Sequence, residues 1–173
     1  MKSNHPSVTE VQTSRPLELL HIDLMGTAKV QSLDEKKYIL VVVDDFTKYT
    51  WVVLLRDKAK APKKMINLCK KLQVEKGTVI ARIRSDHGRE FENTKLATFC
   101  NDHGIHQEFS SPKTPQQNAI VEQKNRVVQE MAHVMLHNKR MPKSFWGEAI
   151  NTTCHTLNRA YFRPISKQTP YEL

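Results

Sequence analysis

Cysteines and long hydrophobic runs are scarce in this 173-residue sequence. The three cysteines, Cys69, Cys100 and Cys154, lie far apart and form no CxxC pair, which excludes a disulfide framework and suggests a reducing compartment. The longest apolar run, YILVVV, has the length of a strand and is too short to span a membrane. The start of the chain also lacks the layout of a secretory signal peptide. We therefore expect neither a membrane partner nor secretion.

Acidic residues are outnumbered by basic ones, 18 against 27, which gives a formal net charge of +9 and a pI near 9.5. A basic domain binds polyanions well because each phosphate contact releases counterions. The charge therefore favours a nucleic-acid partner. Improved solubility is the alternative explanation, and charge alone does not choose between the two.

The chain divides into a short polar segment and one domain. Residues 1–16 are polar and non-periodic, so we interpret them as a linker or frayed N-terminus. Residues 17–173 are long enough to bury a core as one domain. Hydrophobic periodicity predicts strands at 17–25, 37–46, 49–57, 78–86 and 105–109, and helices at 58–72, 92–104, 117–138 and 142–161. Pro62 fits the first turn of the first helix and Gly77 ends that region, while Asn93 or Thr94 can cap the second helix. The apolar stripe expected on the third helix consists of Ile120, Val121, Val127, Val128, Met131, Val134 and Met135. This order predicts an α/β fold with helices packed on a sheet.

Three carboxylates lie in settings that each allow two interpretations. Asp23 is inside the apolar strand LLHIDLM, where burial of the charge requires a metal or cation, unless an edge strand turns Asp23 to water. Asp86 follows a strand, at a place where functional sites collect, although aspartate also caps turns. Glu122 shares a helix face with Asn118 and Arg126, and the alternative is an ordinary solvated charge.

Together, the three carboxylates form a candidate metal site. Their hard oxygen ligands suit Mg²⁺ or Mn²⁺ rather than zinc. Two such ions, about 3.5–4 Å apart, can hold the attacking and leaving oxygens of a phosphodiester. A basic protein is a suitable carrier of that chemistry, because its substrate would be a polyanion.

Six ordered stretches resemble the catalytic core of a retroviral-type integrase, most closely that of copia-type LTR retrotransposons. The resemblance covers about Leu17 to Leu173, and 35 residues lie between Asp86 and Glu122. The stretches are LELLHIDLMG, YILVVVDDFTKYTWV, IRSDHGREFEN, FSSPKTPQQNAIVEQKNR, FWGEAINTTCHTLNR and TPYEL. Six blocks in family order are far more specific than a single short motif.

The resemblance implies a ribonuclease H-like fold with a five-stranded mixed sheet flanked by helices. It implies an enzyme that trims the 3′ ends of the element's double-stranded DNA and joins them to target DNA. Asp23, Asp86 and Glu122 would be the catalytic residues and hold two Mg²⁺ or Mn²⁺ ions. A homodimer or higher homo-oligomer, acting in the nucleus, would be expected. The residues expected to contact DNA are Lys113, Gln116, Asn118 and Arg126.

The sequence departs from the family pattern at three positions. Ala119 replaces a glycine, Gln123 replaces an arginine and Thr27 replaces a proline. Ala119 would be unfavourable at a positive φ and favourable in a helix. The departures leave open a catalytically silent DNA-binding or assembly remnant as the alternative function. An unrelated ribonuclease H-like nuclease acting on RNA–DNA hybrids shares the metal chemistry but not the six stretches.

Other candidate sites are weaker. Cys100, His103 and His106 have ligand-like spacing, but no fourth zinc ligand is evident. Asp44 and its neighbour Asp45 are expected to make the turn after the second strand, with Asp44 a remote site candidate. The family resemblance also implies an N-terminal zinc domain and a C-terminal DNA-binding region outside this sequence, so we expect it to be a fragment.

Overall fold

The computed structural model describes residues 13–110, 119–162 and 167–173. Along these residues, three strands are followed by a helix, a strand, a helix, a strand and two helices, with short 3₁₀ turns at Lys58–Lys60 and Lys143–Phe145. The strands are β1 (Leu19–Met25), β2 (Tyr38–Asp44), β3 (Thr50–Leu55), β4 (Arg82–Ser85) and β5 (His106–Phe109). The helices are α1 (Ala61–Lys76), α2 (Thr94–Asp102), α3 (Ala119–Asn138) and α4 (Trp146–Ala160). This is the predicted order of elements.

The strands form one mixed sheet in the order β3-β2-β1-β4-β5. β1, β2 and β3 are antiparallel neighbours, whereas β4 and β5 run parallel to β1. β1 is therefore a central strand with partners on both sides, which excludes the edge-strand alternative for Asp23. The predicted five-stranded mixed sheet flanked by helices is confirmed.

Side-chain alternation along the strands divides the core into two layers. On one face of the sheet, Leu20 and Ile22 of β1 pack with α1 and α2. On the other face, Met25 of β1 and Val41 and Val43 of β2 pack with α3 and α4. Asp23 has the same parity as Met25, and its side chain meets α3 on this second face. The candidate site therefore lies on the α3/α4 side of the sheet.

Capping residues set the ends of the helices as the sequence predicts. Pro62 lies in the first turn of α1, where its missing N–H is not needed, and Gly77 ends that helix with a φ of 60°. The Asn93 side chain caps α2 by accepting a hydrogen bond from the Lys95 N–H at 3.0 Å. Ala119 begins α3 with a helical backbone. Ala119 therefore occupies a helical position, where alanine is favourable, and not one with a positive φ.

Two predicted details are wrong. The fourth strand covers only Arg82–Ser85 instead of 78–86, because side chains of Arg15 and Gln73 take hydrogen-bonding positions at residues 78–80. The predicted apolar stripe of α3 included Val134, which is 58% exposed. The other residues of the stripe face the core, with Val121 and Val128 buried and Ile120, Val127, Met131 and Met135 partly buried against them. Asn125 and Ala132 are also buried on this face.

The predicted linker covers 1–16, of which 1–12 lie outside the described residues. The Thr13 hydroxyl donates to Asp45 Oδ2 at 2.7 Å, and the Arg15 guanidinium bonds to Thr78 and Val79.

The three cysteines are free and buried. Among the described residues, no helix combines the length and apolar character needed to cross a membrane.

Candidate functional site

Asp23 is held in place by two hydrogen bonds on the α3 side of β1. The Leu24 backbone N–H donates to Asp23 Oδ1 at 2.8 Å. The Asn125 side-chain amide, from α3, donates to the other carboxylate oxygen. Each carboxylate oxygen thus has one donor, which fixes the orientation of the group between the sheet and the helix.

Asp86 directly follows β4 and lies level with Asp23 along the sheet. β4 runs parallel to β1 with His21 opposite Arg84, so two further residues along each strand lead to Asp23 and Asp86. The Gly88 N–H donates to Asp86 Oδ1 at 3.0 Å, which closes the predicted turn. Turn formation and a role at the site are therefore compatible for this residue.

Glu122 lies in the first turn of α3 and is exposed. The N-terminus of a helix favours a carboxylate because unpaired backbone N–H groups and the helix dipole give it partial positive charge. Val121 and Val128, both fully buried, anchor α3 against the sheet. The anchored helix therefore carries Glu122 towards the same end of the sheet as the two aspartates.

The electrostatics of Asp23 connect the three predicted carboxylates. Burial is the main reason that the pKa of Asp23 is raised, and the negative charges of Asp86 and Glu122 raise it further. Hydrogen bonds from Leu24 and Asn125 oppose this shift. Three acids from separate parts of the chain thus interact, although 62 residues lie between Asp23 and Asp86.

This arrangement is an open cluster of negative charge. Within the described ranges, no three His, Cys, Asp or Glu side chains are grouped closely enough to hold one metal ion. The donor set itself suits a hard divalent cation, since all three ligands are carboxylates. A cation between them would offset the repulsion that raises the pKa of Asp23. Binding would therefore require Glu122 and the aspartates to draw together around the ion.

The structure places one of the four residues expected to contact DNA. Arg126 is exposed on α3, one turn after Glu122. Lys113, Gln116 and Asn118 lie outside the described residues. Arg126 is therefore available to a ligand that approaches Glu122, and its role remains a prediction.

Sequence reasoning missed Asn125. Its side chain is 7% exposed and bonds to Asp23, while its Oδ1 has no hydrogen-bond partner among the described residues. The apolar stripe predicted for α3 contained no polar residue. The sequence did contain a signal for this burial. Asn125 follows Val121 by four residues and so lies on the same helix face, where a buried amide needs a polar partner.

The weaker candidates have structural roles. His103 Nδ1 bonds to the Phe99 carbonyl at 2.9 Å, Cys100 is buried and His106 is exposed, and no zinc-binding group forms within the described residues. Asp44 accepts hydrogen bonds from the backbone N–H of Leu17 at 2.9 Å and from Thr47 N–H and hydroxyl. Asp44 therefore makes the turn after β2, as predicted.

The chain combines a five-stranded mixed sheet, flanked by helices, with a carboxylate cluster at one end of the sheet. The integrase core domain family matches residues 13–115, more than half of the sequence. The chain belongs to this family. The resemblance to integrase cores is thereby confirmed. The relatives and solved structures described next confirm the likeness to transposon integrases and the ribonuclease H-like fold.

Two of the curated relatives come from plant transposons. The chain is 33% identical over 154 residues to a retrovirus-related Pol polyprotein from transposon TNT 1-94 of Nicotiana tabacum, covering 89% of this chain and 12% of the relative. It is 30% identical over 166 residues to the Pol polyprotein from transposon RE2 of Arabidopsis thaliana, covering 96% of this chain and 11% of the relative. The chain thus spans about an eighth of each relative's length.

Solved structures share the fold at low sequence identity. The HTLV-2 integrase catalytic core domain in complex with magnesium, in a trimeric form, has a TM-score of 0.67 and 19% identity. The alignment covers 91% of this chain and 95% of that one. A dimeric form of the same domain has a TM-score of 0.66 and 19% identity, with coverage of 92% and 97%.

Proposed function

We propose that this chain is the catalytic core of a metal-dependent polynucleotidyl transferase that integrates DNA. It would trim the 3′ ends of the element's DNA and join them to target DNA, with Asp23, Asp86 and Glu122 as catalytic metal ligands. The observation that carries the proposal is the arrangement of β1, β4 and α3, which brings Asp23 near Asp86 and Glu122. The raised pKa of Asp23, due first to burial and then to the other two acids, supports it. Functional sites are where burial and such like charges are assembled to shift a pKa.

The residues of the chain would position the reacting groups. Asp23, oriented by hydrogen bonds from Leu24 and Asn125, and Asp86, oriented by Gly88, would provide the ligands from the sheet. Glu122 would complete the set from the helix. Two bound Mg²⁺ or Mn²⁺ ions would lower the pKa of the attacking oxygen and neutralise charge on the phosphate. The oxygen is that of water in trimming and of the 3′-hydroxyl in joining.

DNA binding and assembly extend the same proposal. Arg126 is exposed one turn after Glu122 and suits contact with a phosphate, and Lys113, Gln116 and Asn118, which precede α3 in the sequence, would contact the same DNA. Trimeric and dimeric forms of the HTLV-2 domain support a homodimer or higher homo-oligomer. Action on chromosomal DNA would place the protein in the nucleus.

Calorimetric titration with Mg²⁺ and Mn²⁺ tests the metal site directly. We expect two bound ions in the unaltered protein and loss of binding in Asp86→Asn, which keeps the shape but not the charge. Asp34→Asn is the matched control, because Asp34 is an exposed aspartate outside the cluster. A folded protein that binds no metal at millimolar concentrations, even with DNA ends added, would refute the catalytic proposal and leave a silent remnant.

A further inference from the structure

His87 and Phe109 form a pair of stacked rings at the end of the sheet that carries Asp86. Their ring centroids lie 5.3 Å apart, and the angle between the ring planes is 22°. Phe109 is the last residue of β5, and His87 is the second residue after β4, the neighbouring strand. We call these two residues the aromatic platform.

Backbone pairing places the aromatic platform beside the candidate site. β4 and β5 are parallel with Ser85 opposite Phe109, and the Ser110 N–H donates to the Ser85 carbonyl at 2.8 Å. Phe109 therefore shares the face of Ser85, because residues directly opposite each other in a sheet point to the same side. Asp86 is the next residue along the chain after Ser85. The platform is thus a neighbour of the candidate metal ligands, but neither ring belongs to their cluster.

The platform is ordered and yet accessible. His87 Nδ1 lies 2.6 Å from Glu92 Oε1, so this contact and the stacking on Phe109 both fix the imidazole ring. The His87 side chain is nevertheless 52% exposed, and Phe109 is 36% exposed. A surface that is ordered before binding loses little conformational freedom when a ligand stacks on it. The two rings therefore offer a preformed flat surface to a planar ligand.

The charges around the platform are compatible with a polyanion. Two of the neighbouring acids already have partners, because Glu92 contacts His87 and Glu108 accepts hydrogen bonds from the Arg84 guanidinium at 2.7 and 2.9 Å. The whole chain carries a net charge of +9. Aromatic rings on a basic protein suit unpaired nucleotides, because every base has a π face and every nucleotide carries a phosphate.

We propose that the aromatic platform stacks an unpaired base at the DNA end that reacts at the carboxylates. The proposal rests on the proposed function, which supplies the DNA. Trimming removes nucleotides from the 3′ end of one strand only, so the opposite strand keeps unpaired bases at its 5′ end. An unpaired base can stack on an aromatic ring, whereas a base inside a duplex is covered by its neighbours. Stacking would hold the trimmed end beside the site until the joining step.

A protein segment is the other class of ligand that could cover Phe109. The surroundings of the platform argue against it, because charged side chains flank the rings, among them Glu92 and Glu108. The centre of a protein interface is depleted of charged residues and buries a much larger area than one pair of rings. A single nucleobase needs no more than the surface that the platform provides.

Fluorescence of 2-aminopurine tests this proposal, because the emission of this base is quenched when it stacks. The probe is a duplex with a short 5′ overhang that contains 2-aminopurine, and a blunt duplex of the same sequence is the reference. Phe109→Leu removes the ring but keeps an apolar side chain, whereas Phe109→Tyr keeps a ring. Phe162→Leu is the matched control, since Phe162 is 65% exposed and lies after α4, outside the platform. EDTA is present throughout, so divalent ions at the carboxylates do not contribute.

We expect the unaltered protein to quench the probe and to bind the overhang duplex more tightly than the blunt one. Phe109→Leu should lose about 5-fold or more of its affinity for the overhang duplex, the lower end of what one stacked base contributes, and keep its affinity for blunt DNA. Phe109→Tyr and Phe162→Leu should retain the preference for the overhang.

Three results would each overturn the proposal. They are an unaltered protein without preference for the overhang, a Phe109→Leu variant that keeps this preference, and equal weakening of both duplexes by Phe109→Leu. Metal binding by the carboxylates is measured separately by calorimetry. Loss of metal binding with an intact overhang preference would refute the catalytic proposal and leave the platform as a contact for unpaired DNA, so either proposal can fail alone.

Discussion

Asn125 is the residue that connects α3 most directly to the charge of Asp23. It lies three residues after Glu122 and donates to Asp23 from a position that is 7% exposed. This hydrogen bond lowers the pKa of Asp23, against burial and the charges of Asp86 and Glu122, which raise it. Asn125 is therefore a positioning residue that favours the ionised form of Asp23, which is the form that binds a metal.

Asn125→Ala should raise the pKa of Asp23 further and destabilise the domain. Loss of a hydrogen bond to a charged group costs about 1.5–3 kcal/mol, and the remaining carboxylate stays partly buried. A carbon-13 NMR titration of the Asp23 carboxyl and urea unfolding measure the two effects. The control is Asn151→Ala, at an exposed position on α4. An unchanged Asp23 titration in Asn125→Ala would show that the amide does not set the charge of this group.

At the scale of elements, Asp45 joins β1, β2 and the segment before β1. It bonds to His21 Nε2 at 3.1 Å, to the Thr13 hydroxyl at 2.7 Å and to Lys48 Nζ at 2.9 Å. Burial alone would raise the pKa of Asp45, but the hydrogen bonds from His21, Thr13 and Lys48 outweigh it and hold the pKa far below its usual range. The ionised carboxylate is therefore a structural connection between neighbouring elements.

Asp45→Asn should destabilise the domain in a pH-dependent way. Because the folded-state pKa lies below the unfolded value of about 3.9, the contribution is present above that pH and is lost as the pH falls towards the folded-state pKa. We expect a loss of about 1.5–3 kcal/mol at neutral pH, the range for hydrogen bonds to charged groups. Urea unfolding between pH 3 and 7 measures it, with Asp34→Asn as the control. A deficit that is constant with pH would contradict this account.

The sequence predicts the elements better than it predicts what they contact. Strand and helix periodicity, Pro62, Gly77 and Asn93 placed the secondary structure because these signals are local. The shortened β4 and the burial of Asn125 were missed because they depend on contacts with distant residues. Arg15 and Gln73 occupy the region before β4, and Asp23 supplies the partner that makes Asn125 tolerable in the core.

At the candidate site, too, local signals could be predicted from the sequence and contacts between distant residues could not. Asp23, Asp86 and Glu122 were found from their residue types and settings, and from the family resemblance. Their mutual repulsion depends on β4 pairing parallel to β1, which brings a strand end from 62 residues away beside Asp23. That pairing is a property of the sheet order, and no short window of sequence contains it.

At the scale of the molecule, the carboxylate cluster should cost stability until a cation is bound. Asp23 has a raised folded-state pKa, mainly through burial and then through Asp86 and Glu122. Its stabilising contribution is therefore fully present below about pH 3.9 and is lost as the pH rises through the folded-state value. At neutral pH the ionised residue opposes folding, and a divalent cation would reverse this effect.

Asp23→Asn should accordingly be more stable than the unaltered protein in EDTA at pH 7, with a smaller difference at pH 4. Asparagine keeps an acceptor for Leu24 and removes the repulsion from Asp86 and Glu122. In Mg²⁺ the order should reverse, because only the unaltered protein gains binding energy. At 100 times the dissociation constant this gain is about 2.7 kcal/mol, or roughly 5–10 °C in Tm for a domain of this size. Thermal unfolding of both proteins, in EDTA and in Mg²⁺ at matched ionic strength, measures the order of their stabilities without and with the metal. If Asp23→Asn gains as much from Mg²⁺ as the unaltered protein, the ion binds elsewhere and the cluster is not the metal site.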